Sequence, residues 1–223
     1  AESSVAVPDA LDAAGASALI LDFLTAYYGL FDRGHYDAGQ SLLVTGASGG
    51  VGSAAVQLAY ASGGRVAALA SGDAKIRHIA GLGAELVLDY RNPDWRADLK
   101  TRYPGGIDRV FDPVGGALFE PCFRSLAKHG RHLVVGFASG DEIPRLPANL
   151  PLLKSGELAG VDARYLGESD PARVRTILAI IFRLAERGRI RPVIDQRFAL
   201  SDAPAALRAL ASDTRIGKII VTP

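Results

Sequence analysis

An α/β fold is predicted for this chain: a doubly wound parallel Rossmann sheet of six strands in the order 3-2-1-4-5-6. Three observations predict it. Ser41 to Gly63 reads SLLVTGASGGVGSAAVQLAYASG, a short apolar run, then Gly46, Gly49, Gly50 and Gly52, then apolar residues at helical spacing. Five strand–helix alternations and one further strand follow one another between Ser41 and Tyr165. A hydrophobic fraction of 48 % in 223 residues suits one large α/β core.

The elements are expected in this order. Ala1 to Val7 is a poorly ordered lead-in, and Pro8 opens a short helix that Gly15 ends. Ser17 then caps a helix to about Asp32, with Leu21, Leu24, Tyr28 and Phe31 on its apolar stripe. Leu42 to Val44 is the first strand, and Val51, Ala54, Ala55, Leu58 and Ala59 mark the helix behind it. Strands at Arg65–Ala70, Glu85–Asp89 and Ile107–Asp112 alternate with helices at about 74–82 and 93–103. A helix from about 117 to 128 leads to a fifth strand, Arg131–Gly136, and a short helix near 148–154 to a sixth, Glu157–Tyr165. Asp170 and Pro171 open an amphipathic helix to about Arg187. An extended segment at 194–200, a helix at 202–211 and a final strand at 217–222 close the chain. That last strand has no place in the six-strand count and is expected to fray without partners.

A strand, a glycine turn and a helix in this order form a dinucleotide-binding crossover. The turn needs residues without a Cβ, the backbone must approach a pyrophosphate, and the helix N-terminus offers unpaired N–H groups to the anion. Gly50 is expected to keep open the space that the pyrophosphate fills. NAD-preferring folds end the second strand in an acid that holds the ribose 2′-hydroxyl. Here it ends Leu69-Ala70-Ser71, with Lys75 four residues on and Tyr90 just past the third strand. An ammonium, a hydroxyl and a phenol suit a 2′-phosphate, so NADP(H) is favoured over NAD(H).

Other classes are disfavoured. A net charge of +1 gives no reason to expect nucleic acid or an anionic membrane as partner. One cysteine, Cys122, excludes an internal disulfide and a cysteine-based zinc cluster. The four histidines lack metal-ligand spacing, so no metal is expected. No Gly-Lys-Ser/Thr follows the glycines, against a P-loop. The short-chain dehydrogenase pattern also needs a tyrosine four residues before a lysine, and none of the seven tyrosines is so placed. The apolar run Ala16–Phe31 is interrupted by Asp22 and reads as too short for a membrane span; with no basic leader, a cytoplasmic protein is expected. The chain begins at Ala1 and holds no methionine, which points to a processed or excised N-terminus.

The strings TGASGGVGSAAVQLA, KIRHIAGLGAELVLDYR, GIDRVFDPVGG, RHLVVGFASG and GKIIVTP together resemble the medium-chain dehydrogenase/reductase superfamily, in its zinc-independent, zeta-crystallin-like quinone oxidoreductase branch. The resemblance implies hydride transfer from NADPH to a quinone, an enone or an enoyl thioester. It implies that Ala47, Gly49, Gly50, Val51 and Gly52 line the pyrophosphate, and that Ser71, Lys75 and Tyr90 hold the 2′-phosphate. Thr25, Gly136, Phe137 and Ala138 would then lie at the nicotinamide end. It also implies a homodimer through the edge strand 157–165. Family members carry a GroES-like catalytic domain ahead of this region, largely absent here. Residues 1–16 then read as its remnant, 17–188 as the dinucleotide domain and 189–223 as a segment returning to the absent domain. No catalytic residue is assigned; Asp112, at a strand tip, reads as a carboxylate satisfied by the glycine turn after it. A non-catalytic NADP(H)-binding or dimerisation module is the alternative.

Overall fold

The computed structural model describes residues 5–9, 11–140 and 142–223. Six parallel strands form one sheet in the expected order: β1 (Ser41–Val44), β2 (Arg65–Ala70), β3 (Leu86–Asp89), β4 (Ile107–Asp112), β5 (Leu126–Val134) and β6 (Glu157–Gly160), arranged β3-β2-β1-β4-β5-β6. β1 is central and wholly buried because it pairs with β2 on one side and β4 on the other. Its side chains alternate between two cores. Leu42 and Val44 pack with α1 (Ala13–Tyr27), α2 (Gly50–Ala61) and α8 (Pro171–Glu186). Leu43 faces Trp95 and Leu99 of α4 (Trp95–Arg102), Phe123 of α5 (Phe119–Arg124) and Leu150 of α6 (Asn149–Lys154). Apolar runs here are strands buried on both faces, as helix-covered parallel sheets require.

Several boundaries differ from expectation, each for a local reason. α1 starts at Ala13 because the Asp12 carboxylate caps the Gly15 N–H at 2.6 Å, so Gly15 lies inside the helix and Ser17 is no cap. Pro8 opens a turn closed by Leu11, not a helix; Ala1 to Ser4 of the expected lead-in lie outside the described residues. α1 runs on into a π-helical segment, Tyr28–Arg33, and its buried face is Leu19, Phe23, Ala26 and Leu30, whereas Leu21 is 58 % exposed. With that extension the helix reaches 21 residues, long and apolar enough to cross a membrane by length and composition. It is therefore not too short to span, but its apolar face is part of the core.

The helix expected at 117–128 is a 3₁₀ turn, Gly116–Leu118, and the six residues of α5. β5 consequently begins earlier, with His129 at φ 61° and a register shift against β4. β6 stops at Gly160, short of Tyr165, because Asp162 caps α7 (Ala163–Ser169) by accepting from Tyr165 N at 2.9 Å. The final strand does have a partner. β7 (Ile194–Ala199) and β8 (Lys218–Thr222) form a separate two-stranded parallel sheet, linked by α9 (Ala203–Leu210). Gly217 N donates to Ser48 O at 2.7 Å, Lys218 pairs with Asp22 at 3.0 Å, and Ile220 packs on Ala14 and Ala18. These contacts replace the expected fraying with attachment to the glycine turn and α1.

Asp112, at the tip of β4, is fully buried and ties the sheet together above its carboxyl edge. Its Oδ1 accepts from Thr45 Oγ1 at 2.5 Å, Val114 N at 3.0 Å and Gly115 N at 2.9 Å, and its Oδ2 meets His132 Nε2 at 3.1 Å. Burial opposes its ionisation, yet His132, Thr45 and the Gly115 amide outweigh burial and hold the carboxyl below its ordinary value. Removing a buried acceptor strands several donors, so Asp112→Ala is expected to cost about 3–5 kcal/mol, read from the urea midpoint at unchanged slope. Because the folded-state value is depressed from 3.8, this stabilisation is present above that pH and lost as pH falls through the folded value. The acid limb of the stability curve should therefore be shallower in Asp112→Ala than in the parent; an unchanged limb would contradict the assignment.

Candidate functional site

The carboxyl ends of β1, β2 and β4 meet around the glycine turn, where strand order reverses and α/β folds leave a crevice. Gly46 has φ 54°, and a Cβ on Gly52 would lie 2.3 Å from the Gly46 carbonyl, so turn and helix touch backbone to backbone. α2 starts at Gly50; its first intrahelical-type bond is Ser53 N to Gly49 O. The Gly50, Val51 and Gly52 amides have no backbone acceptor among the described residues, leaving the positive end of a 12-residue helix available to an anion.

Beside this turn lies a cavity of about 580 Å³. Gly46 and Ser48 of the turn, Ser71 beyond β2, Lys75 of α3 (Asp73–Ala80), Tyr90 beyond β3 and Ala138 all line it. Val114, Gly115, Leu118, Ser139 and Asp213 complete its wall. Lys75 is half-buried and Tyr90 is 41 % exposed. The rim is held by Asp89, whose carboxylate takes Arg91 through two nitrogens, at 2.9 and 2.5 Å, and also accepts from Gly72 N at 3.3 Å. That pairing with Arg91 holds the Asp89 carboxyl well below its ordinary value.

A second, more open cavity of about 730 Å³ lies along the carboxyl ends of β5 and β6. Thr25, Gly136 and Phe137 line it, with Tyr28, Arg33, Val161, Asp162 and Tyr165. Phe137 walls this cavity and Ala138 the first, so one loop bounds both. The loop is fixed by Ala138 N to Pro113 O at 3.0 Å and Ser139 N to Val114 O at 3.1 Å. Gly115, at φ 67°, lets it pack close: a Cβ there would sit 2.9 Å from the Phe137 ring.

Two groups of expected residues are thus brought together: Ser71, Lys75, Tyr90 and Ala138 in one cavity, Thr25, Gly136 and Phe137 in the other. Ala47, Gly49, Gly50, Val51 and Gly52 lie in the turn and the first turn of α2 and line neither cavity; Ala47 is fully buried. The reason given for Gly50 needs correction. A Cβ there would lie 2.0 Å from Asp22 Oδ2, so the space beside Gly50 already holds the α1 carboxylate. Asp22 is 4 % exposed; burial pushes its carboxyl up against the pull of Lys218 and Arg215. Ser48 could have been found, since it stands within the glycine turn. Asp213 and Asp162 could not, because no local pattern places the first at the cavity beside the turn or the second at the open cavity.

Fold and turn together define a dinucleotide-binding Rossmann domain. A sequence model of zinc-binding dehydrogenases matches residues 82–221, and the chain belongs to that family, within the medium-chain dehydrogenase/reductase superfamily. A quinone oxidoreductase-like protein 2 homolog of Nematostella vectensis is 30 % identical over 96 % of this chain and 59 % of its own length. The spectinabilin polyketide synthase system protein NorB of Streptomyces orinoci is 36 % identical over 93 % of this chain and 9 % of its own. The solved structure of mycobacterial Rv1454c complexed with NADPH superposes with a TM-score of 0.89 at 27 % identity, covering 97 % of this chain and 66 % of that one. The chain thus spans less than two thirds of each of these proteins. The residues present do not fit a zinc ion. No group of three or more His, Cys, Asp or Glu able to hold a metal occurs among the described residues. The Cys122 thiol is buried and pushed up by that burial, and His132 is engaged by Asp112.

Gly50→Ala is expected to destabilise the fold by about 1–3 kcal/mol through overpacking against Asp22. The cost should shrink in an Asp22→Ala background, as a double-mutant cycle in urea would read. Equal costs in both backgrounds would show that the methyl group meets something else.

Proposed function

We infer that this chain is the NADP(H)-binding part of a zinc-independent reductase acting on quinones or activated C=C bonds. The observation that carries the reading is the cavity that gathers Ser71, Lys75 and Tyr90 beyond the tip of β2, a strand that ends without an acid. The Lys75 ammonium and the Ser71 and Tyr90 hydroxyls would hold the 2′-phosphate. The N-terminus of α2, with Gly49, Gly50, Val51, Gly52 and Ala47 around it, would hold the pyrophosphate. Thr25, Gly136, Phe137 and Ala138 would flank the nicotinamide, which when bound supplies hydride to the acceptor. The NADPH complex of Rv1454c supports the choice of cofactor. The quinone oxidoreductase-like relative supports the acceptor class. A cytoplasmic location goes with this reading.

An enoyl thioester is the second acceptor considered, and the match to NorB over 93 % of this chain favours it. Either acceptor needs to be held against the nicotinamide with water excluded. The open second cavity supplies one wall. We assign the opposite wall to a GroES-like domain, toward which residues 189–223 would return and of which residues 1–16 would be a remnant. The separate β7–β8 pair supports that assignment. The exposed edge strand β6, pairing only with β5 among the described residues, is the proposed dimer contact. A non-catalytic module remains the outcome if no acceptor is reduced.

NADPH should bind more tightly than NADH by roughly ten- to a hundredfold, the worth of a few charge-assisted contacts. Lys75→Ala should remove most of that margin in calorimetric titration; equal affinities in the parent chain would overturn the cofactor reading. The purified chain should sediment as a dimer at micromolar concentration, yet reduce 9,10-phenanthrenequinone or crotonyl thioester far more slowly than a version supplied with an upstream domain. Comparable rates would show that the cleft is complete without that domain.

A further inference from the structure

We propose that Asp213 limits the cofactor selectivity of the first cavity by opposing Lys75. The inference rests on the NADP(H) reading above and concerns the same cavity. Lys75 and Asp213 are the charged side chains that line it among the described residues, so one ammonium and one carboxylate border a site assigned to a dianionic phosphate. The nearby acid Asp89 is neutralised by Arg91. Asp213, in contrast, forms no hydrogen bond or ion pair through its carboxylate among the described residues, and its charge is left to act on whatever enters.

Its position is fixed by the segment that carries it. Ser212 Oγ and Thr214 Oγ1 lie 2.8 Å apart, Thr214 N donates to Ser212 Oγ at 3.3 Å, and Arg215 Nη1 donates to Gly217 O at 2.6 Å. Gly217 N then donates to Ser48 O at 2.7 Å, joining this loop to the glycine turn. An acid, which the end of β2 lacks, is thus delivered to the same cavity from the far end of the chain. A carboxylate beside a 2′-phosphate repels it, whereas beside a 2′-hydroxyl it repels nothing and can accept a hydrogen bond. Lys75 sets the direction of the preference and Asp213 limits its size.

The test is calorimetric titration of NADPH and NADH into the parent chain, Asp213→Asn and Lys75→Ala at low and moderate salt. Asp213→Asn should tighten NADPH by about three- to tenfold, as expected when a like charge within a few ångströms is neutralised, and should leave NADH unchanged or slightly weaker. The gain should shrink as salt rises. An NADPH/NADH ratio unchanged by Asp213→Asn, while Lys75→Ala still lowers it, would overturn this inference and leave the cofactor reading standing. A ratio unchanged by Lys75→Ala would instead overturn the cofactor reading, and this inference with it. Equal tightening of both nucleotides by Asp213→Asn would show a general charge effect and also overturn the proposal.

Discussion

One buried carboxylate organises the working edge of this domain. Asp112 draws Thr45 from the end of β1, two amides from the turn after β4, and His132 from β5. Thr45 and the two amides sit where a strand hands over to a loop, and His132 lies within β5, two residues before its end. The same charge therefore fixes the start of the glycine turn, the path of residues 113–115, and through them the loop at 136–139 that packs on that path. Phe119 and Phe123 close over the His132 ring, at centroid distances of 4.5 and 6.1 Å, and keep water from the pair. A charge so enclosed is tolerable only when fully satisfied, and Asp112 has four donors. Its role is architectural: it reaches no cavity, and its oxygens are occupied.

The second constraint is the meeting of distant segments behind the glycine turn. Asp22 of α1 lies over Gly50, Lys218 of β8 pairs with Asp22, and Gly217 holds Ser48. The turn is thus shaped from behind by helix α1 and the C-terminal strand, while the Gly50, Val51 and Gly52 amides have no backbone acceptor among the described residues. That division explains why Gly50 must be glycine although the crevice is not what its missing side chain would fill. It also explains how a residue as late as Asp213 comes to line a cavity built mainly from the first half of the sheet.

Strand order, the crossover and the group Ser71, Lys75 and Tyr90 were legible in the sequence because each rests on local chemistry, whereas Thr25, Gly136 and Phe137 came from the family resemblance alone. Buried parallel strands read as apolar runs, a glycine turn reads as glycines, and the missing acid after β2 is visible as Ala70-Ser71. What stayed hidden depended on short-range caps that residue patterns misread and on a partner that no local pattern points to. The cap of α1 turns on Asp12 reaching Gly15, a pairing that a glycine-stops-helix rule misreads. The early end of β6 follows from Asp162 capping a helix that apolar patterning had merged into the strand. The partner of β8 is β7, which reads as an extended segment but carries no sequence sign that it pairs with β8. The role of Ser71, Lys75 and Tyr90 follows from their chemistry beside a strand that ends without an acid, whereas that of Thr25, Gly136, Phe137 and Ala138 rests on resemblance.

The bond from Gly217 to Ser48 also bears on how the molecule is made. It joins residues separated by most of the chain, and contacts of such long sequence separation form late. During synthesis, β1, the turn and α2 emerge and can pack long before residue 217 exists. Until then Asp22 lacks Lys218, and its carboxylate, already placed against the first turn of α2, has no cation to answer it. The nascent domain therefore passes through a stage in which its nucleotide turn is present but unbraced, until residues 217 and 218 emerge and brace it.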